Sequence, residues 1–515
     1  MKRAKILWAD DEIEMLKPYV LFLNEKGFDV VGVNSGRDAI DKCKEESFDL
    51  IFLDEHMPGI SGLETLTIIN QSFPDIPIVM ITKSEDEGIM EKAIGRKIAD
   101  YLIKPVNPHQ ILLSIKKILE KQNIIFETNI DSYRDDFNKL SEDINGCSSA
   151  EGWVSIYKRL VSWDIAFTEN NTSMNEVLQM QKSEANTSFG KFIKCNYSNW
   201  FNNPTMAPTL SHNIFDQYVF PTLDKGEKIF FILIDNFRLD QWMVVKELLS
   251  EIFTIKENLY FSILPTATQY ARNAIFSGMT PLQISKQYPH LWVGEDEESG
   301  KNLEEESLIA TQFATKGRKE IFSYHKISSN TEGDKLVGEF HKLENNDLNI
   351  LVFNFIDMLS HARTELKMLQ ELTPNEAAYR SLSKSWFQHS PLLSLLKLIS
   401  QKKYKVLFTA DHGTIRVRNP LKVIAERSIN SNPRYKVGRN ITYDSKKVFE
   451  ITNPEQIGLP SPNLSTRYIF ALNDNFFAFP NNFNQYVSLL ENSFQHGGVS
   501  MEEMMVPIVQ LETKQ

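Results

Sequence analysis

The sequence predicts a multidomain α/β protein in which a helical connector separates two sheet-bearing domains. Three observations carry this. A chain of 515 residues is too long for one ordinary core. Up to about residue 120, short apolar runs alternate with amphipathic segments, the pattern of a parallel, doubly wound sheet. Strand signals then vanish and return from about residue 206 as continuous apolar runs, as expected of strands covered on both faces.

In the first domain, residues 1–122, the spacing predicts strands at Lys5–Ala9, Asp29–Val33, Leu50–Leu53, Ile78–Ile81 and Tyr101–Ile103, with helices between them and a last helix at Pro108–Lys121. In the connector, residues 123–205, Ser, Asn, Glu and Lys dominate. Trp153, Trp163 and Trp200 nonetheless ask for burial, and Trp153–Trp163 has helical spacing. The third domain, residues 206–515, predicts strands at Lys228–Ile234, Leu259–Leu264, Asn349–Phe355 and Tyr404–Phe408. The acidic stretch Glu295–Glu306 reads as a solvated loop. There is no internal repeat.

Hydrophobic residues at 42% and charged residues at 24% are the proportions of a folded chain. A net charge of −11 argues against a protein that coats nucleic acid through a basic surface, though not against a local phosphate pocket. Cys43, Cys147 and Cys195 are too few and too far apart for a disulfide framework or a thiolate zinc site, which fits a reducing compartment. The opening MKRAKILWADDE is too short in apolar residues for a signal peptide, and no window has the apolar length of a membrane helix. These features predict a soluble, cytoplasmic protein.

In an open parallel sheet, functional side chains gather at the C-terminal ends of the strands. Asp10 and Asp11 follow the first strand, Asp54 ends the third, Thr82 the fourth and Lys104 the fifth. Three converging carboxylates repel unless a hard divalent cation neutralises them, and an all-oxygen site suits Mg2+. A carboxylate beside that cation can attack a phosphoryl donor. A lone Asp at a strand end more often caps the next helix; five such residues in register do not reduce to caps. With Asp54-Glu55-His56-Met57-Pro58-Gly59 and Lys104-Pro105, this segment resembles the receiver domain of response regulators, a flavodoxin-like fold. The resemblance implies Asp54 as the phosphoacceptor, with Asp10, Asp11 and the His56 carbonyl around Mg2+. It also implies Lys104 on the phosphate and Thr82 with Tyr101 as the switch pair.

A second constellation obeys the same strand-end logic. Asp235 ends KIFFILID, and Thr268 follows FSILPTAT just before a helix predicted at Tyr270–Phe276. Asp357 and His361, four residues apart, follow NILVFNF; Asp411 and His412 follow VLFTA; His496 lies in FQHGGVS. Asp and His are the donor types zinc prefers. A threonine hydroxyl is a weak nucleophile unless a metal activates it, and at a helix N-terminus it faces N–H groups that favour phosphate. Thr266 is a competing hydroxyl. Arg272 and Asn273, one turn further, either touch the phosphate or sit on a solvated helix surface. Singly, each His is more often a cap or surface residue and DxxxH arises by chance; the ordered set is what suggests a two-metal site.

That set resembles the alkaline-phosphatase superfamily. Pro265-Thr266-Ala267-Thr268 with Ser277-Gly278 is similar to the nucleophile region of its nucleotide pyrophosphatase/phosphodiesterases, and His496-Gly497-Gly498 with Glu502-Glu503 and Val506-Pro507 to the PglZ ending. The resemblance implies an alkaline-phosphatase-like α/β domain with two Zn2+. Asp357, His361 and His496 would hold one ion and Asp235, Asp411 and His412 the other, with Thr268 between them as metal ligand and nucleophile. It implies a phosphohydrolase; the Pro-Thr-x-Thr setting leans toward phosphodiesters of nucleotides or short linear or cyclic oligonucleotides.

The order of receiver, helical connector and PglZ-type domain resembles response regulators of type IX secretion and gliding. This implies a sensor histidine kinase as phosphodonor, a phosphorylation-dependent homodimer and a secretion-system or sigma-factor partner. The rival expectations are a non-catalytic zinc-containing scaffold and a DNA-binding transcriptional regulator. The second lacks a basic recognition helix after the receiver.

Overall fold

The five apolar runs of the N-terminal segment form five parallel strands: β1 (Lys5–Ala9), β2 (Asp29–Val33), β3 (Leu50–Asp54), β4 (Ile78–Thr82) and β5 (Asp100–Ile103). Their order in the sheet is β2-β1-β3-β4-β5. The computed structural model describes residues 4–74, 76–83, 98–167, 173–295, 297, 300–365, 367–425, 429–463 and 465–514. The helical pattern between the fourth and fifth strands falls largely on 84–97, outside the described residues. The chain divides into two compact units, Met1–Ser132 and Tyr133–Gln515.

Strand periodicity explains how the first unit buries both faces of its sheet. Leu7, Ile51, Leu53 and Met80 pack with Ala39, Cys43, Leu66 and Ile69 of two helices on one side. Ile6, Trp8, Phe52 and Ile81 pack with Leu23, Ile111 and Ile115 on the other. The helices start where the sequence supplies caps: Ser35 accepts from the Asp38 amide, and Ser61 with Glu64 and Asn107 with Gln110 form capping boxes. The predicted helix Pro108–Lys121 is α-helical over Pro108–Ile115, turns once as a π-helix over Lys116–Glu120 and continues as Lys121–Gly146.

The connector is helical, as the tryptophans suggested: the helices are Lys121–Gly146, Ala150–Phe167 and Ser173–Asn202, the last two wholly in the second unit. Trp153, 1% exposed, meets Phe189 edge-on at 5.5 Å, and Trp200 packs on Phe261 at 5.4 Å. Beyond it stands a six-stranded mixed sheet. Its strands are β6 (Ile229–Ile234), β7 (Phe253–Phe261), β8 (Phe322–Ile327), β9 (Leu348–Phe353), β10 (Lys405–Thr409) and the strand Met505–Thr513. β10, β6, β9 and β8 run parallel in that order, and Met505–Thr513 pairs antiparallel with both β10 and β7. The same unit holds a three-stranded antiparallel sheet, Tyr435–Gly438, Arg467–Ala471 and Val448–Ile451.

Several expectations need correction. The strand expected at Leu259–Leu264 is β7, Phe253–Phe261; its polar half is legible only as the edge of a sheet, and residues 262–264 already lead into the next helix. The strand expected at Asn349–Phe355 ends at Phe353, because Phe355 opens the helix Phe355–Glu365. Nor is Glu295–Glu306 simply a solvated loop. Glu305 starts a helix at 1% exposure, and Glu295 accepts from the hydroxyls of Tyr270 and Tyr435 at 2.7 and 2.8 Å. Asp296, Glu298 and Ser299 of that stretch lie outside the described residues. The three cysteines are free thiols, and among the described residues no helix is long and apolar enough to cross a membrane.

Lys436, on the small sheet, is 1% exposed and donates to the Asn430 carbonyl at 2.7 Å. Burial pushes its ammonium down from an ordinary 10.5 to about 7. Between these values the unfolded chain holds the proton that the folded chain has lost, so stability rises with pH, by at most about 1.4 kcal/mol per unit. The denaturant midpoint of the second unit is expected to increase from about pH 7 to pH 9. Lys436→Met should remove that increase.

Candidate active site

In the first unit, β1, β3 and the residue after β5 bring Asp10, Asp54 and Lys104 together. The Lys104 ammonium lies 2.7 Å from Asp10 Oδ2 and 3.1 Å from Asp54 Oδ2. Asp10 and Asp54 are buried and Asp11 is exposed, yet one oxygen of each lies within 4.8 Å of the other two. Burial raises the Asp54 carboxyl and the neighbouring Lys104 opposes that rise. Asp54 Oδ1 is buried without a hydrogen-bond partner, a polar atom aimed at a position where a cation fits. Thr82 is fully buried at the end of β4, Tyr101 on β5 packs against one of the two core clusters, and His56 is exposed in the loop after Asp54.

In the second unit the parallel strands do the same for the other set. Asp235 follows β6 and Asp411 with His412 follows β10, neighbours in the sheet. Asp357 and His361 sit one turn apart on Phe355–Glu365, just after β9. His496 arrives from the loop ahead of Met505–Thr513. Two groups result, Asp357–His361–His496 and Asp235–Asp411–His412, each with its donor atoms within 4.8 Å. The rings of His412 and His496 stack at 4.3 Å, so the groups adjoin.

Thr268 opens the helix Thr268–Ser277, whose N-cap, Ala267, offers no side-chain acceptor. The first amides of that helix are therefore left for another acceptor, and a phosphate oxygen suits them. The Thr268 hydroxyl lies 3.1 Å from His412 Nε2 and 3.4 Å from Asp235 Oδ1. Thr266, the competing hydroxyl, is fully buried and engaged: it donates to the Gly498 carbonyl and accepts from the Gly497 amide, both at 3.0 Å. It holds the His496 loop and has no path to a substrate.

The donor set fits metal ions. His496 Nδ1 lies 3.1 Å from the Thr266 carbonyl and His412 Nδ1 3.2 Å from the Gly413 carbonyl. A carbonyl at Nδ1 fixes the proton there and leaves Nε2 as a lone-pair donor, the usual outer support of a ligating imidazole. Burial, with His412 and His361 close by, pushes His496 well below the ordinary imidazole value, which keeps it neutral. Asp235 and Asp411 are both buried. Burial raises Asp235, whereas Arg272 and His412 outweigh burial at Asp411 and hold it at about 2.

Three residues stand out that sequence reasoning missed or misplaced. Arg272, left open as a phosphate contact or a solvated residue, is not solvated. It is 1% exposed and its guanidinium pairs with Asp235 and, at 2.9 Å, with Asp411; Glu305 backs it at 3.2 Å. Its signal was its place one helical turn after Thr268. Asn273 is buried and donates to the Lys301 carbonyl at 3.4 Å. Asn236, next to Asp235 and in the left-handed region at φ 63°, donates its amide to Asp411 and its side chain to Asp357 and Ser360. It thus ties the two Asp/His groups together, and nothing in its residue type announced that.

The His496 loop rests on a second buried pair. Arg434 and Glu503 are fully buried and joined through Nε and Nη2, while Glu503 also accepts from the Gly498 amide at 2.8 Å and from Ser500 at 2.6 Å. A Cβ at Gly498 would stand 2.6 Å from the Ala471 carbonyl and 2.7 Å from Arg434, and Gly497 adopts φ +119°. Both glycines are dictated by the close approach.

These sites define a response-regulator receiver joined through helices to an alkaline-phosphatase-like domain. The family model of the BREX system PglZ alkaline phosphatase-like domain matches residues 214–511, more than half of the chain, and the chain belongs to that family. The PorX response regulator linker domain matches 123–201 and the response regulator receiver domain 6–116, so the order of domains is the PorX-type architecture. Among curated proteins, the chain is similar to the alkaline phosphatase synthesis transcriptional regulatory protein PhoP of Bacillus subtilis, 32% identical over 122 residues, 23% of this chain and 50% of that protein. It is also similar to a CpxR homolog of Haemophilus influenzae, 33% identical over 120 residues, 23% of this chain and 51% of that one. The chain thus spans about half the length of these relatives. Among solved structures, a CheY-like receiver domain protein from Methanospirillum hungatei matches at 25% identity, covering 24% of this chain and 98% of that one, with a TM-score of 0.23.

Glu503→Ala leaves the Arg434 guanidinium buried without a counter-charge, which is expected to cost about 3–5 kcal/mol. Replacing both partners by apolar residues, Arg434→Met with Glu503→Leu, should recover only part of that loss, because the Gly498 amide and the Ser500 hydroxyl still lack their acceptor. Denaturant midpoints of the single and double variants check this.

Proposed function

We propose that this chain is a cytoplasmic two-component response regulator, with a receiver at 1–122, a connector at 123–205 and a zinc-dependent phosphohydrolase at 206–515 that acts on phosphodiesters of nucleotides or short oligonucleotides. The observation that carries the catalytic reading is the Thr268 hydroxyl set between Asp235 and His412 at a helix N-terminus without a side-chain cap.

In this reading Asp357, His361 and His496 hold one Zn2+ and Asp235, Asp411 and His412 the other, with Thr268 at the boundary. When bound, such ions lower the pKa of a hydroxyl and neutralise charge on oxygens around phosphorus. The protein's own groups do the rest. Thr268 Oγ1 attacks phosphorus and expels the ester oxygen, giving a phosphothreonine that water then hydrolyses. The first amides of Thr268–Ser277 receive the phosphoryl oxygens. Arg272 keeps the two aspartates oriented and charge-balanced. The Thr266 and Gly413 carbonyls keep a proton on Nδ1 of His496 and His412, so that both rings present Nε2.

In the receiver, Asp54 accepts the phosphoryl group from a sensor histidine kinase, with Mg2+ held by Asp10, Asp11 and the His56 carbonyl, Lys104 on the phosphate, and Thr82 and Tyr101 as the switch pair. The added charge biases the receiver toward a homodimer. The downstream role is control of type IX secretion and gliding through a secretion-system or sigma-factor partner.

Zinc-loaded protein is expected to release nucleoside monophosphates from dinucleotides and short oligonucleotides, and Thr268→Val to lose roughly 10³-fold or more of that turnover. Equal turnover by the variant defeats the assignment of the nucleophile. In parallel, acetyl phosphate should shift the sedimentation coefficient of the wild-type chain but not of Asp54→Asn. No shift in either removes the dimerisation.

A further inference from the structure

The helix Ser173–Asn202 belongs to the connector, yet its polar contacts fall on the segments that carry the catalytic donors. The Tyr197 hydroxyl, fully buried, accepts the Leu264 amide at 2.7 Å, four residues ahead of Thr268. Asn186, 4% exposed, accepts the Met501 amide at 2.8 Å through its carbonyl oxygen and donates to Glu502 at 2.9 Å, just after the His496 loop. Lys182 lies 3.2 Å from Glu376 on the helix Glu376–His389; from that helix the Tyr379 hydroxyl donates to the Ile356 carbonyl at 3.3 Å, next to Asp357.

Two of these contacts are to backbone amides. A hydrogen bond to an amide fixes the course of the main chain and thereby every side chain on that loop. A spacer docked for stability alone needs apolar packing, which the helix also has through Phe189 and Trp200 against Phe261. Apolar packing tolerates sliding by fractions of an ångström; a buried amide with one acceptor does not, because losing that acceptor strands a polar group at about 1–3 kcal/mol.

We infer that Asn186 and Tyr197 are positioning residues, and that the connector helix Ser173–Asn202 is the frame that sets the nucleophile segment and the His496 loop in register with each other. The inference rests on the two-metal reading for its catalytic consequence, but not for its geometric content. Its effect on the site passes through backbone position: Tyr197 governs Thr268, and Asn186 governs His496.

The test uses the full-length chain with Asn186→Ala, Tyr197→Phe and, as control on the same helix, the exposed Met180→Ala. Zinc chloride is titrated by calorimetry, and hydrogen exchange is followed at the Met501 and Leu264 amides. Asn186→Ala is expected to weaken zinc binding about 10-fold or more, in the range seen when an outer support of a ligand is removed. Tyr197→Phe is expected to keep zinc affinity and KM but lower kcat. Each variant should expose its own amide to faster exchange, and the control should match the wild type. If Asn186→Ala does not fold, Tyr197→Phe, which deletes one hydroxyl, decides alone. A lower unfolding temperature with zinc affinity, kcat and both amides unchanged would mean the helix is only structural and overturns the inference. A wild type that neither binds zinc nor turns over any ester, while the variants still lose amide protection, counts against the hydrolase reading and supports the frame.

Discussion

A carboxylate sealed at the end of a parallel strand must have a positive charge beside it, because an ionised group without a partner in a protein interior costs several kcal/mol. Both halves of this chain are built around that constraint. In the first unit Lys104 stands between Asp10 and Asp54; in the second Arg272 stands between Asp235 and Asp411 and is itself backed by Glu305. The same rule recurs away from the strand ends, where Arg434 meets Glu503 beneath the His496 loop and Lys182 meets Glu376 beneath the connector. Each pair holds in place a segment that brings a functional atom to the site.

The rule also separates the two Asp/His groups of the second unit. Asp235, Asp411 and His412 are buried, and the two aspartates share the Arg272 guanidinium. Asp357 and His361 lie nearer the surface, with the His361 side chain 63% exposed. One group is thus organised in advance by protein charge, whereas the other depends on Asn236 and on the carbonyl behind His496. Asn236 touches both, so a displacement of Asp411 is felt at Asp357.

The central strands were legible because each carries an apolar run with an aspartate at its end: Asp54 after LIFL, Asp235 after IFFILI, Asp411 after VLFTA. What the sequence hid has physical reasons. β8 and the outer half of β7 are polar edge strands whose alternation is diluted by charge. Met505–Thr513 contains Pro507, a residue that argues against an interior strand, and it pairs on both sides all the same. Arg272 could not be placed from the sequence because its role depends on strands far away in the chain, and Glu305 looked solvated because its partner was unknown. Residue type and spacing singled out the Asp and His residues that the fold brings together; the groups that hold them became visible only in three dimensions.

The placement of Met505–Thr513 has a bearing on how the second unit comes to exist. This strand is the last of its sheet in sequence, yet it fills the gap between β7 and β10. Until it has left the ribosome, those two neighbours have an unsatisfied edge each, and the nascent chain must stay unaggregated through a long non-local search. Closure of the sheet that carries Asp235 and Asp411 therefore waits on this segment, and a ribosome that stalls shortly before it yields a chain with those residues but no closed sheet to hold them.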